Sequence, residues 1–473
     1  MIGIIGGGMG GLFSARLLAL AGHQVTVFEP DASPAGMDIE QAFSEWQRPH
    51  VPQLRQPHAA RSVIRKRLLE RDPDLYREMI AGGLREWRFQ LHGVGSEPHD
   101  PELIGFLGRR PTLERTLRRI AEATPGVRIV PERVAELVVD PADSRRISGV
   151  KTKSGETFSF DRVIECTGRR SKILDWIEAM GLPRPYEAEQ ECGIVYYSRY
   201  FRFRPGVTMP QGPYPSGPSA NLSTLQYTMN RTDGDTFSLM MGVAPWVPAF
   251  KSLRDEQVYM EVARAMPGIA EWLDPEASEP IWRVEPFGQL INRYRRFADG
   301  GEPMFRNLFV MGDARFHTNP IFGWGMGMAL QQACMLVDSL AEEAAPEDQL
   351  RAFEAKVDPY AQSHYRSSAG EDVARMAYWR GELAGPQEPG TYEYFVTQIQ
   401  PAAFKDQAIF QAVTRRLHLL DDPNAILDNE DVARRAAAIP RTDHLKMKRE
   451  EILALVEEAS ARHLDARQVA VNA

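Results

Sequence analysis

The sequence predicts an α/β protein: a doubly wound parallel sheet, an antiparallel β-sheet interleaved with it, and a helical C-terminal region. Three observations predict it. The first thirty residues alternate strand, glycine-rich turn, helix and strand. Residues from about 190 to 300 switch to aromatic, strand-like patterning broken by Pro, Gly and Asn. From about residue 340 the chain is charged and mostly helical. At 473 residues it exceeds the size at which a single core usually stops growing, so more than one domain is expected. The pattern divides it into 1–185 with 301–345, a β-rich unit at 186–300 and a helical region at 346–473, with part of 45–105 assigned to the β-rich side.

The elements follow in order. MIGII reads as a short buried strand, GGGMGG as a turn, LFSARLLALAG as an apolar-faced helix ending at Gly22, and HQVTVFE as a second strand. Two strands joined by a helix imply parallel pairing. Residues 31–110 are rich in Arg, His and Pro, and ARSVIRKRLLERDPDLYREMI reads as a solvated amphipathic helix. RPTLERTLRRIAEATPGVRIV is a helix feeding a strand, and VAELVVD, GVKTKSG and FSFDRVIECTG are strands that return the chain to the sheet. GIVYYSRYFRF, NLSTLQYTM, DTFSLMMGVA and IWRVEPFGQLINRYRRF form the β-rich segment. NLFVMGDA restores a buried strand and GMALQQACMLVDSLAEEA a long helix. After a break near AGPQEPGTYEY, the last amphipathic helix, around HLKMKREEILALVEEASARHL, is expected to pack onto its own domain.

Composition narrows the function classes. A chain that is 43% hydrophobic and 25% charged, with a net charge of -8, has no electrostatic footprint for nucleic acid or an anionic membrane. Cys166, Cys192 and Cys334 show neither CxxC nor Cys/His spacing, so no disulfide framework or metal site is expected, and a reduced, cytoplasmic setting fits. The apolar N-terminus lacks a basic n-region and is interrupted by glycines, and no window reaches the ~18 uninterrupted apolar residues of a membrane span.

Gly6-Gly7-Gly8-Met9-Gly10-Gly11 supplies G-x-G-x-x-G after a strand and at the start of a helix, the context of a Rossmann-like dinucleotide site. There Gly6 makes the tight turn, Gly8 lets backbone approach a pyrophosphate at the helix N-terminus, and Gly11 permits close helix–strand packing. Glu29 ends the second strand 18 residues beyond Gly11, where a carboxylate can accept hydrogen bonds from ribose hydroxyls. A distant feature points to FAD rather than NAD. Gly312-Asp313 ends a buried strand, placed to hydrogen-bond a ribityl chain, and the helix that follows directs its positive end toward the flavin ring. Between them lies HTNPIFGWGMGMA, where Gly323, Gly325 and Gly327 at alternate positions strip side chains from one stretch of backbone and invite a flat ligand.

These motifs, with the mid-chain ECTGRRSKI, resemble the class A flavoprotein monooxygenases of the p-hydroxybenzoate hydroxylase fold. RRPTLERTL, VIECTGRRSKILDWIEAMGLP and NPIFGWGMGMAL look most like bacterial FAD-dependent epoxidases and hydroxylases acting on polyketide and terpenoid-like secondary metabolites. The resemblance implies Arg110 at the FAD diphosphate, Val134 backbone at the adenine, Arg48 near the ribityl or isoalloxazine, and Asp313 at the ribityl and diphosphate. It places Pro320 and the backbone from Gly323 to Met326 against the ring. Thr167-Gly168 stands where aromatic hydroxylases carry Asp-Gly, and Glu165 and Arg170 stand where epoxidase-like relatives tend to have Asp and Gly. That departure leaves the electron source open between NAD(P)H and a separate flavin reductase.

The implied activity is epoxidation or hydroxylation of a bulky hydrophobic molecule with O2 through a flavin C4a-hydroperoxide, needing no catalytic triad. Tyr196, Tyr227, Met240, Trp282 and Trp324 are candidate walls of the substrate pocket. His58 and His317 are read as structural rather than as general bases. Two alternatives carry forward: flavin-dependent halogenation, against which the chain has no W-x-W-x-I-P segment, and an FAD-holding cyclase without net redox change.

Overall fold

A computed structural model describes residues 1–91, 99–208, 210, 217–383, 385–440 and 447–465. Five short strands form one parallel sheet in the order Leu308–Val310, Arg162–Glu165, Ile2–Ile5, Val25–Phe28, Val127–Val130. The Ile2–Ile5 strand is buried along its whole length, as a strand covered on both faces must be. The helices Met9–Leu20 and Gly325–Glu342 pack against each other over this sheet. Ile4, Phe13, Val27, Ile164, Phe309 and Leu336 belong to the core between them.

The β-rich segment builds a second, antiparallel sheet in the order Ser219–Asn221, Leu225–Arg231, Thr236–Val243, Val195–Phe203, Ser278–Pro280, with Glu285–Phe287 also on Val195–Phe203. The sequence reading passed over a helix here. Glu256–Ala265 is capped by Asp255, whose carboxylate accepts from Gln257 and Val258 N–H, and it lays Val258, Tyr259, Val262 and Ala263 on the sheet's core. The C-terminal helix Arg449–Ser460 docks on that core through Ile452, Val456 and Ala459. Residues 444–446 of the run expected for this helix lie outside the described residues. A third sheet ties the halves together: Tyr186–Glu191 pairs with Ile291–Arg296, which pairs with Phe316–His317.

The basic run after residue 60 is not a single solvated helix. It breaks at Asp72-Pro73 into Ser62–Arg71 and Pro73–Ala81, with Asp72 accepting from Leu75 N–H at 3.0 Å and proline at the first helical position. Val63, Ile64, Leu68, Leu75 and Met79 are buried in the main core. Among the described residues no helix is long and apolar enough to cross a membrane.

Candidate active site

Strand register assembles the motifs. Ile5 pairs with Glu165, and Glu165 with Val310. The chain therefore leaves the sheet three times side by side, at Gly6, at Cys166-Thr167 and at Met311-Gly312. This carboxyl edge of a parallel sheet is where doubly wound folds bind ligands. Gly6 takes φ +103°, and its N–H donates to the Phe28 carbonyl at 3.0 Å. A Cβ on Gly11 would stand 1.9 Å from the Gly6 carbonyl oxygen, and one on Gly10 would stand 2.7 Å from Cys166 Sγ. Gly8 differs from its neighbours: its backbone is extended, φ -78° and ψ -171°, and a Cβ there would meet nothing within 4 Å. The turn is packed behind and open in front.

In front lies a cavity of about 1980 Å³, roughly twice the upper end of the ~300–1,000 Å³ usual for a small-molecule pocket. Two helices begin on its wall, Met9–Leu20 and Gly325–Glu342. Neither has a side-chain cap or an acidic residue in its first turn. The first N–H groups of a helix have no intrahelical acceptors and carry the positive end of its dipole. Both helices thus present uncompensated donors to one space.

Glu29 is buried beside the glycine turn. Its Oε2 accepts from Gly7 N–H at 2.9 Å and its Oε1 from Asp31 N–H at 2.9 Å. Burial pushes its carboxyl up, opposed by the Arg48 guanidinium. Arg48 lines the cavity, but its guanidinium is held among carboxylates. All three of its guanidinium nitrogens are committed, to Asp31 at 2.9 Å, to Glu29 at 3.0 Å and to Glu114. Sequence pattern could not show this, because Glu29 and Asp31 come from the loop after the second strand and Glu114 from a distant helix. Arg110 lines the cavity, donating to Glu114 at 2.9 Å and to His58 Nε2 at 3.2 Å. His58 Nδ1 donates to the Gln56 carbonyl at 2.7 Å. Burial and the nearby Arg110 push His58 down to about 3, so the ring is neutral and both nitrogens are occupied, which suits no general base.

Asp313 sits at the third turn on the cavity wall, and its carboxylate has no hydrogen-bond partner among the described residues. Burial raises its carboxyl, with Arg169 and Arg110 pulling the other way. Sequence reasoning did not single out Arg169, whose place beside Asp313 follows from the strand register alone. Thr167 and Gly168 line the same edge, and Glu165 Oε1 accepts from Thr167 N–H at 3.2 Å and Ser171 Oγ at 2.6 Å. Val134 and Gly312 also face the cavity.

The stretch from Asn319 to Gly327 is held from behind. Asn319 donates to Asp372 at 2.7 Å, Asn292 donates to the same carboxylate at 2.8 Å, and Tyr196 OH donates to Asn319 Oδ1. This network fixes Pro320 at the cavity wall. Gly323 turns the chain with φ +63°, and Gly325 has open space where a Cβ would be. Gly327 does not belong with them: its Cβ would stand 2.7 Å from Leu419 Cδ1 and 2.8 Å from Val63 Cγ1, so it permits helix packing. Trp324 is fully buried, stacked on Phe322 at 4.6 Å, with Nε1 donating to the Leu417 carbonyl at 3.0 Å. These contacts hold its ring in the cavity wall. Met9 and Met326 line the cavity as well.

Of the expected pocket walls, Tyr196, Tyr227, Met240 and Trp324 line the cavity and Trp282 does not. Trp282 packs edge-on to Phe43 at 5.4 Å under the Arg55 guanidinium, and its Nε1 donates to Glu285 at 2.9 Å. It lies in the connection between Ser278–Pro280 and Glu285–Phe287, both of which pair with Val195–Phe203. The C-terminal helices close another wall that sequence pattern did not reveal, with Tyr378, Val396, Gln400, Phe410, Val413 and Leu417. A single π-helical turn at Phe395–Ile399 stands on this wall.

The comparisons agree with this geometry. Residues 4–50 match the model for an NAD(P)-binding Rossmann-like domain, and residues 109–181 match the model for tryptophan halogenase. PqsL, a probable FAD-dependent monooxygenase from Pseudomonas aeruginosa, superposes with a TM-score of 0.59 at 17% identity, covering 81% of this chain and 99% of that one. The chain has the fold of the flavin monooxygenases. CmlS, a flavin-dependent halogenase, shares this fold with a TM-score of 0.58 at 16% identity, covering 98% of this chain and 77% of that one. Protein Rv3254 of Mycobacterium tuberculosis (strain ATCC 25618 / H37Rv) is 28% identical over 350 residues, 70% of each chain. The shared fold covers most of the chain.

Proposed function

We propose that this chain is an FAD-dependent monooxygenase that epoxidises or hydroxylates a bulky hydrophobic metabolite. One observation carries the reading: two uncapped helix N-termini, from opposite parts of the sequence, open into one cavity with the unpartnered Asp313 carboxylate at its edge. Gly8 provides the open cradle that a dinucleotide's diphosphate needs.

In this reading Glu29, oriented by Arg48, accepts from the adenosine ribose, and Val134 lies at the adenine. The N–H groups of Met9, Gly10 and Gly11, with Arg110, hold the diphosphate. Asp313, Thr167 and Gly168 hold the ribityl end. Pro320, Gly323, Gly325 and Met326 lie along the ring, and the N-terminus of the Gly325–Glu342 helix favours negative charge there. When bound and reduced, FAD supplies the oxygen-activating chemistry. Tyr196, Tyr227, Met240 and the C-terminal wall orient the substrate and exclude water. No acid–base residue is required of the protein.

Halogenation is a second reading, favoured by the tryptophan halogenase match over residues 109–181 and opposed by the lack of W-x-W-x-I-P. The test is purification with FAD, then O2 consumption with NAD(P)H alone, and with an added flavin reductase, with and without bromide. Oxygenated product independent of halide supports the monooxygenase, and halide incorporation supports the second reading. Turnover without O2 on oxidised FAD would point to a cyclase and overturn both.

A further inference from the structure

Ten arginines are buried among the described residues, and nine of them pair with a carboxylate. Arg61 is the exception. It stands at the start of the Ser62–Arg71 helix, lines the cavity, and donates Nε and Nη2 to the Phe322 carbonyl at 2.9 and 2.6 Å. Nη1 has no partner among the described residues. Burial lowers the guanidinium only to about 10, so it stays cationic at neutral pH. A buried cation without a counter-ion is costly to a fold.

Close by is a second unmet donor. His418 is fully buried at the end of the Gln407–Leu417 helix and also lines the cavity. Its Nδ1 accepts from Ser62 N–H at 3.2 Å and lies 2.6 Å from Ser62 Oγ. The proton of the neutral ring therefore resides on Nε2, which has no partner. Burial and then the charge of Arg61 hold the ring in that neutral form. Next to it Leu419 takes φ +59°, a left-handed conformation that a bulky side chain adopts only when its surroundings impose it. The Arg416–Leu419 turn, clamped by the Val63 N–H donating to the His418 carbonyl at 3.2 Å, aims the ring. Arg61 thus stands at the Gly323 turn, where a Cβ would lie 3.0 Å from its Nη2, and His418 is held beside it through Ser62.

We propose that the molecule bound in this cavity is an organic anion, an apolar body bearing one acidic oxygen such as a carboxylate, and that Arg61 and His418 bind that oxygen. The proposal rests on the cavity being the substrate site of the monooxygenase reading, and it refines the expected hydrophobic substrate to a hydrophobic acid. Charge-assisted hydrogen bonds would fix the acidic end beside the Phe322-Gly323 turn, and the apolar C-terminal wall would take the rest.

The test compares 1-pyrenebutyrate with its uncharged amide by calorimetric titration of the FAD-loaded protein and of the protein stripped of FAD. The acid is expected to bind about 10- to 100-fold more tightly than the amide. Arg61→Met and His418→Leu should each erase most of that preference while leaving amide binding, FAD content and melting temperature in place, and Arg61→Lys should restore part of it. If Arg61→Met does not fold, Arg61→Gln keeps a donor for the Phe322 carbonyl and removes the charge. Equal binding of acid and amide by the wild type, or no binding of the acid, overturns the proposal. So does an Arg61 variant that loses FAD affinity but keeps the acid preference, since Arg61 would then serve the cofactor. A protein that takes up no FAD yet prefers the acid refutes the monooxygenase reading and leaves this one standing.

Discussion

Gly8 and Gly11 belong to the same six-residue turn, and the structure assigns them opposite reasons for being glycine. A methyl group on Gly8 meets nothing within 4 Å, and its backbone, φ -78° and ψ -171°, is one any residue adopts. Gly8→Ala should therefore leave the protein without cofactor about as stable as wild type, within the few tenths to ~1 kcal/mol by which alanine is a poorer N-cap. The same methyl group occupies the space a diphosphate needs to reach the helix N–H groups. Losing one or two charge-assisted hydrogen bonds, at ~1.5–3 kcal/mol each, should weaken FAD binding by about 10- to 100-fold or more. Gly11→Ala does the reverse. Its Cβ falls 1.9 Å from the Gly6 carbonyl oxygen, so backbone must move and the apo melting temperature should drop by several degrees, despite the better helix propensity of alanine. The assay is a flavin fluorescence titration of stripped protein paired with thermal melts without FAD. Gly8→Ala protein that binds FAD as tightly as wild type would show that the open face of the turn is not where the cofactor lies.

Further outcomes follow from the same site. Asp313→Asn removes a half-buried carboxylate that has no hydrogen-bond partner among the described residues, so apo stability should hold or rise while FAD affinity falls about tenfold, read by the same titration. Arg48→Met strands Glu29, Asp31 and Glu114 in the interior and should cost about 3–5 kcal/mol in denaturant unfolding. His364, buried with Nδ1 donating to the Tyr360 carbonyl at 2.8 Å, is pushed down to about 4 from 6.5 by burial. Because the unfolded chain takes up a proton that the folded one refuses, its contribution is full above pH 6.5 and falls as pH drops toward 4. Wild type should therefore lose about 2 kcal/mol more than His364→Phe between pH 7.5 and pH 5. Parallel losses in the two proteins would show that the imidazole is already charged in the native state.

The parallel sheet and its glycine turn were legible because they depend on local pattern. A four-residue apolar strand, a G-x-G-x-x-G turn and a helix within the first twenty residues constrain one another, and the structure shows them at Ile2–Ile5 and Met9–Leu20. Glu256–Ala265 escaped because its apolar residues, Val258, Tyr259, Val262 and Ala263, lie inside a segment otherwise read at strand period. Trp282 was misplaced for a related reason: it lies in the connection between two short strands, where strand alternation says nothing of which side meets the cavity. The ligand-facing assignments divide in the same way. Positions fixed by backbone, such as Gly8 and Asp313, fall where the turns put them. The role of a long side chain such as Arg48 depends on partners that only the tertiary structure supplies.

That division explains why Arg61 was invisible in the sequence. ARSVIRKRLLER carries four arginines and a lysine, and in a linear reading each is a solvated charge. The fold turns Ser62, Val63, Ile64 and Leu68 inward, and the residue at the helix's start goes in with them. What distinguishes Arg61 from its neighbours is not its own chemistry but the lack of a carboxylate opposite it, in a protein that gives every other buried arginine one. A missing partner has no sequence signature. It becomes evidence only when the surrounding donors and acceptors are placed, and here the next unmet group, His418, comes from a turn more than three hundred residues away and is also a donor. Two donors from independent elements beside one cavity favour an acceptor, and the charge on one of them favours an anion.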